Sequence, residues 1–229
     1  ITGLDKHISS STHNRALKIF LHPVAQKLSP RQQRLQQLAE RESYVFDSHV
    51  NWDTSYLRHF QFFEIRPIER KANSLRGSFP ETEARWEIAD VTFNEGAGYG
   101  AEVFHTPVMI LHLPRALPKF VMEKEGLFDK IFDRALAFSG YRDIDFELYP
   151  DFSRKILLMG EDEASLREFF GPQLIRFFES RPVQHIESNG EALLIFNKLK
   201  PARTDETERL IEFSQELAGR IGRGLPTGN

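Results

Sequence analysis

A chain of 229 residues with 40% hydrophobic residues is long enough to bury a substantial core. Its 30 bases against 33 acids, a formal net charge of -3, exclude a general nucleic-acid binder, whose surface must neutralise phosphates. The absence of cysteine excludes disulfides, thiolate nucleophiles and cysteine-bound zinc, and no apolar run is long enough to span a membrane.

The charge is unevenly spread. Residues 1–41 hold seven bases (Lys6, Arg15, Lys18, Lys27, Arg31, Arg34, Arg41) against Asp5 and Glu40, which leaves 23 bases and 31 acids for the rest. A basic start on an acidic body suits a segment close to an anionic membrane face, and it equally suits an ordinary solvated helix. The chain opens on Ile1 without the apolar middle of a secretory signal, so it reads as a piece of a longer protein.

In chain order, Pro30 to Glu42 combines strong helix formers with Leu35 and Leu38 three apart and Pro30 in a first-turn position, which predicts a helix with a narrow apolar stripe. Asp53 or Thr54 caps a short helical turn that brings Leu57 and Phe60 together. The texture then changes to FQFFEI, ANSLRGSF, ARWEIADVTF, AEVFHTPVMILHL and KFVMEKE, aromatic and β-branched runs separated by Pro, Gly or charge, which predict about five antiparallel strands. Pro107 inside one of them predicts a bulge or a sheet edge.

GLFDKIFDRALAF reads as an amphipathic helix, and Gly171-Pro172 divides LREFF from PQLIRFFES into two helices. Asn189-Gly190 between two apolar runs is the strongest hairpin signal in the chain. A last amphipathic helix starts near Thr204, with acids in its first turn and Leu210, Ile211, Leu217, Ala218 and Ile221 on one face. The expected organisation is a basic, helical segment over residues 1–42, a single α+β domain over 43–222, and a flexible tail over 223–229. Within the domain, residues 60–125 are expected to be strand-rich, forming a mostly antiparallel sheet or small barrel. Residues 126–222 are expected to be helix-rich with a hairpin, ending in the amphipathic helix. A pleckstrin-homology-like barrel closed by that helix is also compatible with the pattern.

Candidate chemistry is sparse. In DIDFE, Asp143, Asp145 and Glu147 alternate with Ile144, Phe146 and Leu148, so an extended chain gathers three carboxylates on one face. Such a face could hold Mg²⁺ or Ca²⁺, yet any half-exposed strand shows the same alternation. Glu161, Asp162 and Glu163 precede a helix, where carboxylates meet unpaired N–H groups and the positive end of the dipole, so GEDE reads as capping. EGAGYG, at Glu95 to Gly100, lies between strands and lacks the Lys-Ser/Thr pair of a phosphate loop, and so reads as a hairpin loop.

The eight histidines form no HExxH pair. His105 and His112, seven apart, fall on opposite faces of a regular strand unless a bulge at Pro107 resets the parity. No catalytic residue, metal ligand set or cofactor motif is legible. One group of bases, Arg66, Arg70, Lys71 and Arg76, is a candidate contact for an anion or an acidic partner, diluted by Glu64 and Glu69.

Four stretches together carry a family resemblance: LHLPRALPKFVMEKEG, the DIDFE segment, the GEDE helix start, and HIESNGEALLIF with the helix that follows. Upstream, PRQQRLQQLAERESYVF, LRHFQFF and NSLRGSF fit the same order of elements. Over Pro30 to Ile221 the chain resembles a widespread bacterial family of uncharacterised domains that typically follow transmembrane helices. Where that family has a Gly-aromatic pair after its juxtamembrane helix, this chain has Glu42-Ser43-Tyr44. The resemblance carries no established activity.

It implies a cytoplasmic domain at the inner face of a membrane, with a protein or an anionic membrane surface as partner and no nucleic acid. The function expected first is a non-enzymatic interaction or regulatory domain of a membrane-associated bacterial protein. The second is a phospholipid-headgroup or small-anion binding module, and the third is metal-dependent hydrolysis at DIDFE.

Overall fold

The computed structural model describes residues 27–95, 102–125, 140–197 and 199–223. The expected helix over GLFDKIFDRALAF, all of the EGAGYG loop but Glu95, most of the basic amino-terminal segment and nearly all of the tail lie outside the described residues.

Helix α1 (Pro30–Glu42) starts at a complete capping box. Ser29 Oγ accepts from Gln32 N at 3.3 Å, and Gln32 Oε1 accepts from Ser29 N at 2.8 Å, so two end donors are satisfied reciprocally. Leu35, Leu38 and Ala39 are its buried stripe. Nine strands form one sheet: β1 (Val45–Asn51), β2 (Ile68–Phe79), β3 (Ala84–Glu95), β4 (Glu102–His112), β5 (Phe120–Lys124), β6 (Arg142–Asp143), β7 (Ile156–Gly160), β8 (His185–Ser188) and β9 (Ala192–Phe196). The spatial order is β1-β2-β3-β4-β9-β8-β5-β7-β6, with every neighbouring pair antiparallel. The sheet is open, with β1 and β6 at opposite edges, so the barrel expected as an alternative is corrected.

The strands of the later stretch are inserted into the same sheet as the earlier ones. The Asn189-Gly190 hairpin places β9 against β4 and β8 against β5, which makes one sheet of both stretches. Gly190 takes φ +98°, a conformation that favours glycine.

The sheet's two faces are covered differently. On one face lie α1, α3 (Pro150–Lys155), α4 (Glu163–Phe169), α5 (Pro172–Glu179) and α6 (Thr204–Arg223). Their apolar sides meet Leu75, Trp86, Ile88, Met109, Leu111, Phe120, Leu193 and Ile195. From α6 come Leu210, Leu217 and Ile221, all buried; each large aliphatic side chain so buried is worth about 1.5–3 kcal/mol. On the other face Val91, Phe93, Val108, Ile110, Leu194 and Phe196 are covered, among the described residues, by the segment Leu57 to Phe63.

Two expectations are corrected and one is met by half. FQFFEI is not a strand: Gln61–Glu64 form a single helical turn, α2, because Phe60, Phe62 and Phe63 all bury against the sheet, which an alternating strand could not achieve. Pro107 makes no bulge, since its pairing with Asp90 is in regular register; the β9 ladder begins only at Val108, so among the described residues β4 is unpaired on that side at Pro107, a local sheet edge where the missing N–H is not needed. In DIDFE only Arg142–Asp143 are strand. Ile144 and Phe146 are buried as the alternation predicts, but the chain turns at Glu147-Leu148 and leaves Leu148 exposed.

Candidate functional site

The face opposite the helical layer is shaped, among the described residues, by the chain between β1 and β2. Asn51 Oδ1 accepts from Asp53 N at 2.9 Å, and Asp53 Oδ1 accepts from Ser55 N at 3.0 Å and Ser55 Oγ at 2.6 Å. Two side-chain-closed turns in succession fix the loop without a strand or helix of its own. These bonds to Ser55 hold the Asp53 carboxyl below its ordinary range, so it is charged at neutral pH.

Residues Ser55–His59 then form a 3-10 turn that drops Leu57 onto the sheet, and α2 follows. The far end of the segment is pinned from the sheet. The buried Glu187 carboxylate accepts from Gln61 N and from Phe62 N, the latter at 3.0 Å. Arg66 lies 4.1 Å from the centre of the Phe62 ring and donates to Phe62 O and to Glu95. The loop is therefore held at both ends while Trp52, between its two turns, stands 73% exposed, beside the half-exposed Val50.

Between this segment and strands β2, β3 and β4 lies a cavity of about 250 Å³. Its walls are Leu57, Ala89, Val91, Val108 and Ile110; its rim is Asp53, Thr54, Tyr56, Lys71, Glu87 and His112. Lys71 Nζ donates to both Glu87 oxygens, at 3.1 and 3.2 Å. The Tyr56 ring packs against His112 with centroids 5.8 Å apart. Burial first, and Arg85 second, hold the His112 imidazole below its ordinary value, so it is neutral near pH 7. Glu87 and His112 also line a wider, shallower depression of about 940 Å³ that runs along the sheet to Tyr44, Arg76, Gly77 and Trp86.

The four bases singled out in the sequence do not converge. Arg66 is buried and paired with Glu95 at 2.6 Å. Lys71 is on the cavity rim, paired with Glu87, and Arg76 lines the shallow depression. Arg70 acts from elsewhere, its charge bearing on His105, which meets Thr92 across the sheet at 3.0 Å. His105 and His112 thus occupy opposite faces, as an unbroken strand requires.

Asp162 caps α4, accepting from Ser165 N at 3.1 Å and Ser165 Oγ at 2.6 Å, which accounts for GEDE. Burial, and Asp145 after it, raise the Asp143 carboxyl above its ordinary value. Among the described residues no group of three or more His, Asp or Glu is arranged to hold a metal ion.

Sequence reading missed a buried polar cluster. His185 Nδ1 lies 2.7 Å from Glu123 Oε2, and its Nε2 lies 3.7 Å from Glu187 Oε2. The ring packs against Phe62 and Phe196, with centroids 4.7 and 4.8 Å away. Burial opposes charging this imidazole, but the hydrogen bond to Glu123 and the nearby Glu187 carboxylate outweigh it and raise the pKa. Both ring nitrogens face carboxylates, an arrangement that favours the imidazolium, and the ring and Glu187 together fasten α2 to the sheet. Nothing in the spacing of Glu123, His185 and Glu187 announces the meeting; only the HIE alternation in a hairpin strand places two of them on one face.

A cleft of about 590 Å³ between α1 and the start of α6 is lined by Arg31, Arg34, Arg41 and Arg203. Three of these already meet carboxylates, Arg31 with Asp90, Arg41 with Glu208 and Arg203 with Asp205, so the cleft is a paired network and not an open cationic site.

No family model matches this sequence, and no curated protein does. Among solved structures, the mycobacterial trehalose monomycolate transport factor A, TtfA, has a similar fold: TM-score 0.56 and 12% sequence identity, over 86% of this chain and 97% of that one. At that identity the likeness is one of fold.

Proposed function

We propose that this chain is a non-enzymatic binding and interaction domain of a membrane-associated bacterial protein, working at the inner face of the membrane. The observation that carries the reading is Trp52: an indole 73% exposed on a loop closed by side-chain turns, next in sequence to Asp53 on the rim of an apolar-walled cavity. An exposed Trp held in place suits the polar-apolar boundary of a bilayer, where an amphipathic ring is at home. The surplus of bases in residues 1–41, the absence of cysteine and a fold shared with a protein described as a transport factor for a lipid support the same reading. A protein interface of standard size buries about 800 Å² on each partner. Trp52 on the loop and Val50 near the end of β1 form too small a patch for that, but inserting one ring into a bilayer needs no more.

The test is co-sedimentation of the chain with vesicles of phosphatidylcholine alone and of phosphatidylcholine with phosphatidylglycerol. The reading expects wild-type protein in the vesicle pellet and Trp52→Ser in the supernatant. Wild-type protein that stays in the supernatant with both compositions contradicts it.

A further inference from the structure

The cavity between the Asp53–Leu57 segment and the sheet has the form of a ligand site, and its two zones state the chemistry of what it takes. Its walls, Leu57, Ala89, Val91, Val108 and Ile110, are apolar and come from three separate elements, so the space is made by the fold and not by one side chain's rotamer. At about 250 Å³ it falls just below the roughly 300–1,000 Å³ of sites that enclose a drug-sized molecule, which favours something narrow. A space walled by hydrocarbon stays dry or takes hydrocarbon, since a water there lacks the two to four polar partners it needs.

The rim is polar, and its charge decides between heads. Asp53 and Glu87 are two carboxylates to the single ammonium of Lys71, which is already shared between both Glu87 oxygens. Tyr56 and His112 add a phenol and an imidazole. Burial keeps the phenol in its protonated form and, with Arg85, keeps the imidazole neutral. An anionic head would meet a surplus of negative charge at this rim. An uncharged head rich in hydroxyls would find acceptors in the carboxylates and donors in Lys71 and Tyr56. Trp52, 73% exposed, is the sequence neighbour of Asp53 on this rim, so the loop that would meet a bilayer also borders the cavity.

We propose that this cavity binds the apolar chain of a single-chain amphiphile with an uncharged, hydroxyl-bearing head, the head lying against Asp53, Lys71 and Glu87. The proposal rests on the membrane-associated reading for the source of the ligand, but its binding step is tested without a membrane. A medium-chain monoacylglycerol, kept below its micelle concentration, is titrated into the 229-residue chain by calorimetry, beside the fatty acid of the same chain length. Saturable one-to-one binding is expected, with the fatty acid weaker by about fivefold or more, the factor set by about one unit of unfavourable charge at a surface site.

Ala89→Phe fills the cavity from its floor and should abolish binding while the near-ultraviolet circular dichroism keeps its native form. If that variant does not fold, Thr54→Trp, on the rim, narrows the mouth instead and should weaken binding at least tenfold. Absence of saturable monoacylglycerol binding, equal or tighter binding of the fatty acid, or binding unchanged in a folded cavity variant each overturns the proposal. Vesicle binding without monoacylglycerol binding removes the cavity site alone. Monoacylglycerol binding without vesicle binding removes the membrane reading and leaves the site.

Discussion

At the scale of single residues, the helical layer is held to the sheet by a buried charge. Asp90, 1% exposed in β3, accepts from Arg31 Nε at 2.7 Å, from the Arg31 Nη2 group, and from Asn73 Nδ2 at 2.8 Å. Arg31 also reaches Thr207 Oγ1 at 3.2 Å, so one guanidinium joins α1, β3 and α6. Removing one partner of such a pair strands the other in the interior. Arg31→Ala should therefore lower the unfolding free energy by about 3–5 kcal/mol in urea titrations, whereas replacing Arg31 and Asp90 together by apolar residues of similar volume should lose much less.

His185 gives a second test at this scale. Its folded pKa lies above the unfolded value of about 6.5, so its contribution is fully present below that pH and is lost as pH rises through the folded pKa. Unfolding free energy should fall with rising pH above about 6.5, and that part of the slope should vanish in His185→Gln. An identical slope in the variant would assign the dependence to other groups.

At the scale of elements, the reading succeeded where local chemistry decides and failed where the partner lies far along the chain. The α1 helix follows from Pro30 and the Leu35–Leu38 spacing, the hairpin from Asn189-Gly190, and the α4 start from the acids around Asp162, each signal local in the chain. Strand β1 was not legible because VFDSHVN carries no clean alternation: it is a sheet edge that buries no full face, and its register shifts between Asp47 and Val50. The helical turn at Gln61 was not legible because what receives its N–H groups is Glu187, about 125 residues on.

Packing between elements also fixes positions that composition leaves neutral. A Cβ at Gly77 would sit 2.5 Å from Trp86 Cζ2 and 2.9 Å from Tyr44 Cδ1, at the place where Tyr44, just before β1, meets Trp86 of β3 beside β2. Gly77→Ala should destabilise the fold by about 1–3 kcal/mol, the usual range for an overpacked core, as a lowered urea midpoint with unchanged slope.

At the scale of the whole molecule, the asymmetry of the sheet is what makes a site possible. Among the described residues five helices seal one face with a continuous core, while a single loop-turn-helix segment covers part of the other. That segment leaves a cavity at one end, and Glu187 and Arg66 fasten it at the other. None of this was legible from spacing, because the cavity walls come from Leu57, β3 and β4, and their meeting depends on strand order. What the sequence did offer was Asp53 or Thr54 as the start of the turn that carries Leu57; the closed turns that display Trp52 emerge only in the structure. Of the four bases first taken together as a contact, Lys71 alone reaches the cavity rim.

The two tryptophans make the central claim directly measurable. Trp86 is 3% exposed and Trp52 is 73% exposed, so a change in emission on meeting a bilayer reports Trp52 against a silent reference. Emission spectra of the chain titrated with phosphatidylcholine and phosphatidylglycerol vesicles should shift to the blue and be quenched by brominated acyl chains in wild type, with neither effect in Trp52→Ser. An emission maximum that stays put at saturating lipid, with no quenching, would contradict the membrane contact on which the account rests.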